Sequence, residues 1–277
     1  MGWLSRIRVQ GPVALRALRA VLWRPYVLVY PVLASMLALL LPAVIAVGLG
    51  LIDIRLVWLT VPIYLFGLAP LFGLLMVAYC HELDELFAGR TPTPGSGIAR
   101  AIARFRVLVV ASLLASLGSL LAESGDDDSV PFGGLVGISS ATALRALNGF
   151  LYPAVAVSEG SLGETAEEVW AAAERRWGTA VVTATGTRAV GMGIVWSAII
   201  TSVALAVLAV LGVFSIEVPP LGGYTLSVAL PVAGLFTATA LTTTVRGVVE
   251  TALYRYAVDG ELPAALGDDA DALLADQ

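Results

Sequence analysis

The sequence predicts an all-α polytopic transmembrane helical bundle, with about six spans in three outward hairpins and cytoplasmic interfacial helices. Three observations predict it. The 277-residue chain is 58% hydrophobic and only 13% charged, with a mean hydropathy of +0.88. A soluble domain is roughly a quarter charged, and half that charge cannot coat a soluble surface of this size. Charge-free runs cover 25–52, 56–80, 189–216 and 218–245. Each exceeds the ~20 residues needed to cross a hydrocarbon core of about 30 Å. The arginines, finally, alternate between dense and nearly empty connections along the chain.

The spans follow in order. The first, about 26–50, is entered through "VALRALRAVLWRP" and turns at Asp53–Arg55 into the second, about 57–80. The third, about 105–122, holds a charge-free stretch of only 16 residues, 107–122. It spans if Arg104 and Arg106 reach back to the interface along their aliphatic stems. "AESGDDDS" at 122–129 turns the chain into the fourth, about 134–157, which carries Arg145. The fifth and sixth, about 189–214 and 224–246, are joined around Glu217–Gly223. Interior prolines at 31, 42, 62, 70 and 153 predict kinked spans, which membrane helices tolerate where neighbours satisfy the freed carbonyl. "ASLLASLGS" at 111–119 spaces small residues four apart, favouring close packing of the third span. Residues 1–258 form a single transmembrane domain. The tail 259–277 has six acids and no base and is expected to be disordered.

Arginine placement orients the bundle. Five Arg precede span 1, four separate spans 2 and 3, three separate spans 4 and 5, and two follow span 6. Those fourteen lie on one side, against Arg55 alone on the other. The reading is a multi-pass protein of the plasma (cell) membrane with N- and C-termini cytoplasmic. The first apolar run is far longer than the 7–15-residue core of a cleavable signal, so it is expected to stay as a span.

Three variations on one hairpin unit are visible. Arg-bearing stretches, "VALRALRAVLWRP", "GIARAIARFR" and "EVWAAAERRWG", precede the odd-numbered spans. "HELDELFAGRTP" and "YRYAVDGELP" follow the second and sixth, each with a Gly (Gly89, Gly260) and then a Pro, a helix-stop pattern. In "GSLGETAEEVWAAAERRWG", at 160–178, Thr165 and Glu168 have capping-box spacing. The helix 165–177 is therefore predicted to be interfacial. Leu162, Ala166, Val169, Trp170, Ala173 and Trp177 form its apolar face, with Trp at headgroup level. Its acidic outer face makes it a candidate docking site for a protein partner, beside its contact with the lipid bilayer.

"FLYPAVAVSEGSLGETAEEVWAAAERRWG" also resembles the signature of an uncharacterised family of six-span polytopic membrane proteins, a domain of unknown function. Members have a Pro, then a Glu, then a short helix ending in an Arg-Trp-Gly-like turn. Here those positions are Pro153, Glu159, Arg176, Trp177 and Gly178. "HELDELFAGRTPTPGSGIARAIARFRVLV" and "ALYRYAVDGELP" are similar to that family's inner loop and closing motif. The likeness covers roughly residues 13–265. It implies fold and location, and no activity.

Candidate chemistry is sparse. All sixteen basic residues are Arg, against twenty-one acids, with a pI near 4.9. No basic stripe lies outside the membrane flanks, which argues against nucleic acid as a partner. One cysteine, Cys80, excludes an intrachain disulfide. In "YCHELDEL", His81 and Glu85 are one turn apart with Glu82 as a candidate base. A zinc-protease motif needs a second His where Glu85 stands, so the segment reads as a solvated helix end. Arg145 is the most informative residue, because a charge in mid-span costs at least ~2.5–3.5 kcal/mol on insertion scales. With Asn148 on the same helix face it forms a candidate intramembrane polar site for an anion or lipid headgroup. The alternative is a structural arginine that reaches toward Glu123 or Asp126–Asp128. Thr183, Thr187, Thr201, Thr237, Thr239 and Thr242–Thr244 form a seam in spans 5 and 6, read as packing.

The expected function is a non-enzymatic scaffold, assembly or lipid-contacting component, with no catalytic residues, metal or cofactor. The alternatives are a small-molecule or ion transporter or channel using Arg145 and the Thr-rich spans, and a membrane metalloenzyme around His81, Glu82 and Glu85.

Overall fold

The computed structural model describes residues 21, 24–113, 140–175 and 220–260, and nine positions between 196 and 208. Side chains at 140–148, 162, 172–175 and 220–231 lie outside the description. Among the described residues all regular structure is helical, and no strand occurs. Three helices are long and apolar enough to cross a membrane: Pro25–Ile52, Ile54–Phe87 and Val232–Asp259.

Helix α1 (Pro25–Ile52) and helix α2 (Ile54–Phe87) are long rods, each interrupted by one π-helical turn, at Met36–Leu40 and Tyr64–Leu68. The interruptions have a local cause. A helical proline clashes with the carbonyl four residues before it and offers no N–H to bond it. For Pro42 that carbonyl belongs to Ala38, and for Pro70 to Phe66. Each is the middle residue of its π turn. A widened turn lets the rod continue past the proline. Asp53 joins the two rods in extended conformation and caps the 3-10 turn opening α2, accepting from the Arg55 amide at 2.8 Å.

Helix α2 runs seven residues past the expected end of its span at 80. It stops in a Schellman motif: the Arg90 amide bonds the Glu85 carbonyl at 2.9 Å, the Gly89 amide bonds that of Leu86 at 3.1 Å, and Gly89 has φ +73°. The Gly–Pro stop signal read from sequence is thus a structural stop. Gly95, at φ +89°, then turns the chain into short helix α3 (Ser96–Ala103). Helix α3 folds back so tightly on α2 that a Cβ on Gly97 would run into the Ala78 carbonyl. Helix α4 is described over 105–113. Helix α5 (Ser140–Val157), helix α6 (Leu162–Arg175) and helix α7 (Pro220–Asp259) complete the description. Helix α7 is a single rod of 40 residues, about 60 Å at 1.5 Å per residue. It carries the closing motif "YRYAVDGELP" as far as Asp259, well past the expected span end at 246, and ends at Gly260 with φ +80°. The expected span at 189–214 and the tail beyond 260 lie almost wholly outside the described residues.

The core sits at one end. Val27, Val77, Leu83, Leu108, Val155 and Val248 are all at most 1% exposed and join α1, α2, α4, α5 and α7. A second cluster, Phe150, Ala154, Val169, Tyr254 and Ala257, ties α6 to α5 and α7. No residue of Leu41–Ile63 is buried. Leu51, Trp58 and Phe66 stand 84%, 80% and 72% exposed, an apolar surface that water does not solvate well and lipid does.

Candidate functional site

The described polar side chains gather at the buried end, beside the Arg-rich connections. Glu82 is at its centre and is 0% exposed. Its Oε1 accepts three bonds, from the Gly97 amide at 3.0 Å, the Ser96 hydroxyl at 3.1 Å and the Tyr30 hydroxyl at 3.3 Å. The carboxylate therefore caps the N-terminus of α3 from another helix. Glycine at the N-cap has no side chain to do so, and the unsatisfied amides and dipole favour a negative charge there. Its Oε2 is buried without a partner among the described residues. The segment read as a solvated helix end is in this respect corrected. Four positions after the last charge-free residue the chain is still inside the bundle, because α3 folds over it.

The other end of α3 grips α5. Arg100 Nε donates to the Ala156 carbonyl at 2.9 Å, and Nη2 donates to those of Val157 and Ser158 at 3.1 and 2.8 Å. These are the last, unsatisfied carbonyls of α5, where a cation also suits the helix dipole. Arg104 donates to the Gly160 carbonyl and, at 3.1 Å, to the Thr165 hydroxyl. Two arginines that flank span 3 thus hold the end of α5 and the start of α6.

The capping box of α6 differs from the expected one. Ser161, not Thr165, is the N-cap. The Ser161 amide donates to Glu164 Oε2, and the Glu164 amide reaches Ser161 Oγ at 3.4 Å. Thr165 is 1% exposed and lies within the first turn, bonded back to the Ser161 carbonyl at 2.9 Å and near Ser158 Oγ at 3.2 Å. Both S/T-x-x-E spacings satisfy the motif. Arg104 decides between them by taking Thr165 into the interior. The Ser161 amide and hydroxyl hold the Glu164 carboxyl below the usual glutamate range. The inward face of α6 carries Thr165 and Val169, while Ala166 and Trp170 of the expected apolar face point out, Trp170 at 61% exposed.

His81, Glu82 and Glu85 do not converge. Glu85 is held by Arg90 through two bonds of 2.6 and 2.8 Å, and Glu82 faces α3. Among the described residues no group of three or more His, Cys, Asp or Glu could hold a metal ion. Asp84 lies 3.4 Å from Arg255 Nε, close enough for attraction though not aligned as a hydrogen bond, and Arg255 also donates to the Asp84 carbonyl at 3.2 Å.

Arg145 and Asn148 lie on α5 with their side chains outside the description. Pro153 is buried inside that helix, Glu159 is exposed beyond it, and Arg176, Trp177 and Gly178 fall outside the described residues. Of the Thr seam, Thr237, Thr239 and Thr244 bond the carbonyls four residues back, as does Thr251. Thr243 lies 3.3 Å from the Ser35 hydroxyl, which donates to it. Sequence reasoning missed Glu82, Tyr30 and Arg100 as partners. The available signal was a Gly N-cap with no capping side chain of its own, which calls for an acceptor from elsewhere.

Fold and site together define, over the described residues, an all-helical protein with three helices long and apolar enough to cross a membrane, whose polar side chains chiefly fasten helix ends. Comparison with known proteins finds no matching family model, no matching curated protein and no matching solved structure.

Proposed function

We propose that this protein is a non-enzymatic scaffold or assembly component of the cell membrane, with six spans, cytoplasmic termini and a protein-docking face on α6. It shares this plan with the uncharacterised six-span family that its motifs resemble. One observation carries the reading. Helix α6 is fastened from behind by Arg104, Val169 and Tyr254, whose hydroxyl donates to Glu168 at 3.3 Å. Its outward face meanwhile presents Glu164, Glu167 and a largely exposed Trp170. A rigidly mounted aromatic among acids suits a protein contact better than an anionic lipid surface, which repels carboxylates. The bonding of Thr237, Thr239 and Thr244 back to carbonyls of their own helix supports packing over a solute path along span 6.

The test is site-specific photo-crosslinking in intact cells, with benzoylphenylalanine replacing Trp170 and, as a control, Trp58. A discrete protein adduct at 170 and none at 58 is the expected result. Lipid adducts alone at 170, or no adduct, would leave α6 as a membrane-surface anchor and overturn the docking role.

A further inference from the structure

Helices α5 and α7 run side by side in the same direction. Gly149 faces Glu250: a Cβ built on the glycine would come 3.2 Å from Glu250 Oε1. One residue on in α5 and one turn on in α7, the rings of Phe150 and Tyr254 lie 6.3 Å apart, and Ala154 and Ala257 share their cluster. The register is therefore fixed to within one helical turn. Four residues before Gly149 stands Arg145, and four before Glu250 stands Arg246. Two arginines occupy the same level of one seam, at the depth of Tyr79, whose hydroxyl donates to the Thr244 carbonyl at 3.0 Å and whose ring abuts Gly247.

Arg246 is oriented. Its Nε donates to Glu250 Oε1 at 2.6 Å. Among the described residues no other group takes a bond from it, and its side chain is 51% uncovered, while Glu250 is 14% uncovered. A guanidinium held through Nε keeps its Nη1–Nη2 edge free, the edge that binds two oxygens of a phosphate side by side. One turn further into the span, Thr242 Oγ1 is buried and has no partner among the described residues. Arg246 stands at the inner end of the expected sixth span, the level at which basic side chains between helices meet anionic headgroups. Here the backbone brings two arginine positions to one level of the seam, against the one carboxylate of Glu250.

We infer that the seam between α5 and α7 binds a phosphate group through Arg246, with Arg145 adding positive charge at the same level and Thr242 a hydroxyl donor one turn deeper. Basic sites between membrane helices take anionic headgroups, so the phosphate is that of an anionic phospholipid or a free phosphate ion. The site does not depend on a partner at the outward face of α6.

The test uses the full chain in mild detergent, with bound molecules counted by native mass spectrometry. The probes are phosphatidylglycerol, phosphatidylcholine and inorganic phosphate. The wild type is expected to retain phosphatidylglycerol over phosphatidylcholine. Arg246→Gln is expected to lower that retention by about tenfold or more, the loss of one charge-assisted contact. Glu250→Gln removes the competing carboxylate and is expected to hold phosphatidylglycerol as well as the wild type or better. A phosphate adduct that displaces phosphatidylglycerol would identify the free ion as ligand, and its absence the lipid. Equal retention of the two lipids by the wild type, with no phosphate adduct, overturns the site. So does a Glu250→Gln variant that loses phosphatidylglycerol, since Arg246–Glu250 would then be a structural bridge only. Both of those readings survive even if Arg246→Gln does not fold.

Discussion

At the scale of the residue, Glu82 is the clearest case of a charge whose role comes from its neighbours. Three donors converge on one carboxylate oxygen, from the neighbouring helix α1 and from the start of α3. Glu82→Ala leaves the buried Gly97 amide without an acceptor, at a cost of about 1–3 kcal/mol for that orphan alone. Glu82→Gln keeps a carbonyl oxygen in place and is expected to cost about 1 kcal/mol, the difference between a charge-assisted and a neutral bond. Titration with SDS, followed by tryptophan fluorescence, measures both. Equal costs for the two variants would mean that the carboxylate only fills space. Little of this was legible in the sequence. "YCHELDEL" shows a carboxylate next to an apolar run, and such a residue is usually at a wet helix end. What makes Glu82 interior is the contact of Gly97 with Ala78, between residues nineteen apart, and no local pattern encodes it.

At the scale of the element, α6 shows how two valid local motifs compete. Ser161–Glu164 and Thr165–Glu168 both have capping-box spacing, and the first is used. The Glu164 carboxyl is held below its usual value of 4.5 by the Ser161 amide and hydroxyl. The sign follows: a carboxyl depressed in the folded state stabilises above its unfolded pKa, and that contribution is lost as pH falls through the folded value. Amide protection across 162–175, taken relative to the intrinsic exchange rate at each pH, is therefore expected to be high at neutral pH and to fall below about pH 4.5. Glu164→Gln should be less protected than wild type at pH 7 and show a weaker loss of protection in acid. Ser161→Ala should destabilise the first turn by about 1 kcal/mol. If Glu168→Gln rather than Glu164→Gln removes the acid response, the capping assignment is wrong. The existence of this helix was readable from its charges and its Gly flanks. Its start was not, because spacing alone scores both boxes equally. Likewise the π turns in α1 and α2 follow from Pro42 and Pro70, but a proline in sequence predicts a disturbed helix without saying whether the rod bends or widens.

At the scale of the whole molecule, the proposed six spans with both termini inside predict which connections share a side of the membrane. Cys80 is buried, so it gives little background labelling. Introduced single cysteines report position. Arg55→Cys is expected to react with a membrane-impermeant maleimide in intact cells. Thr93→Cys and Glu159→Cys are expected to react only after lysis. Labelling of Arg55 and Thr93 from the same side would overturn the topology. Composition alone determined that this chain carries segments long and apolar enough to cross a membrane. The transfer cost of charged and apolar groups adds along a segment, so a chain with 13% charge and runs of 25 or more uncharged residues has one favourable environment whatever its packing. Tertiary structure alone decided which polar groups are interior and what they hold: Glu82 on an amide of α3, Arg100 on the carbonyls at the end of α5. Burial of a charge depends on partners brought from distant parts of the chain, at separations of 14 to 58 residues for the bonds of Glu82 and Arg100, and those partners exist only once the helices have packed.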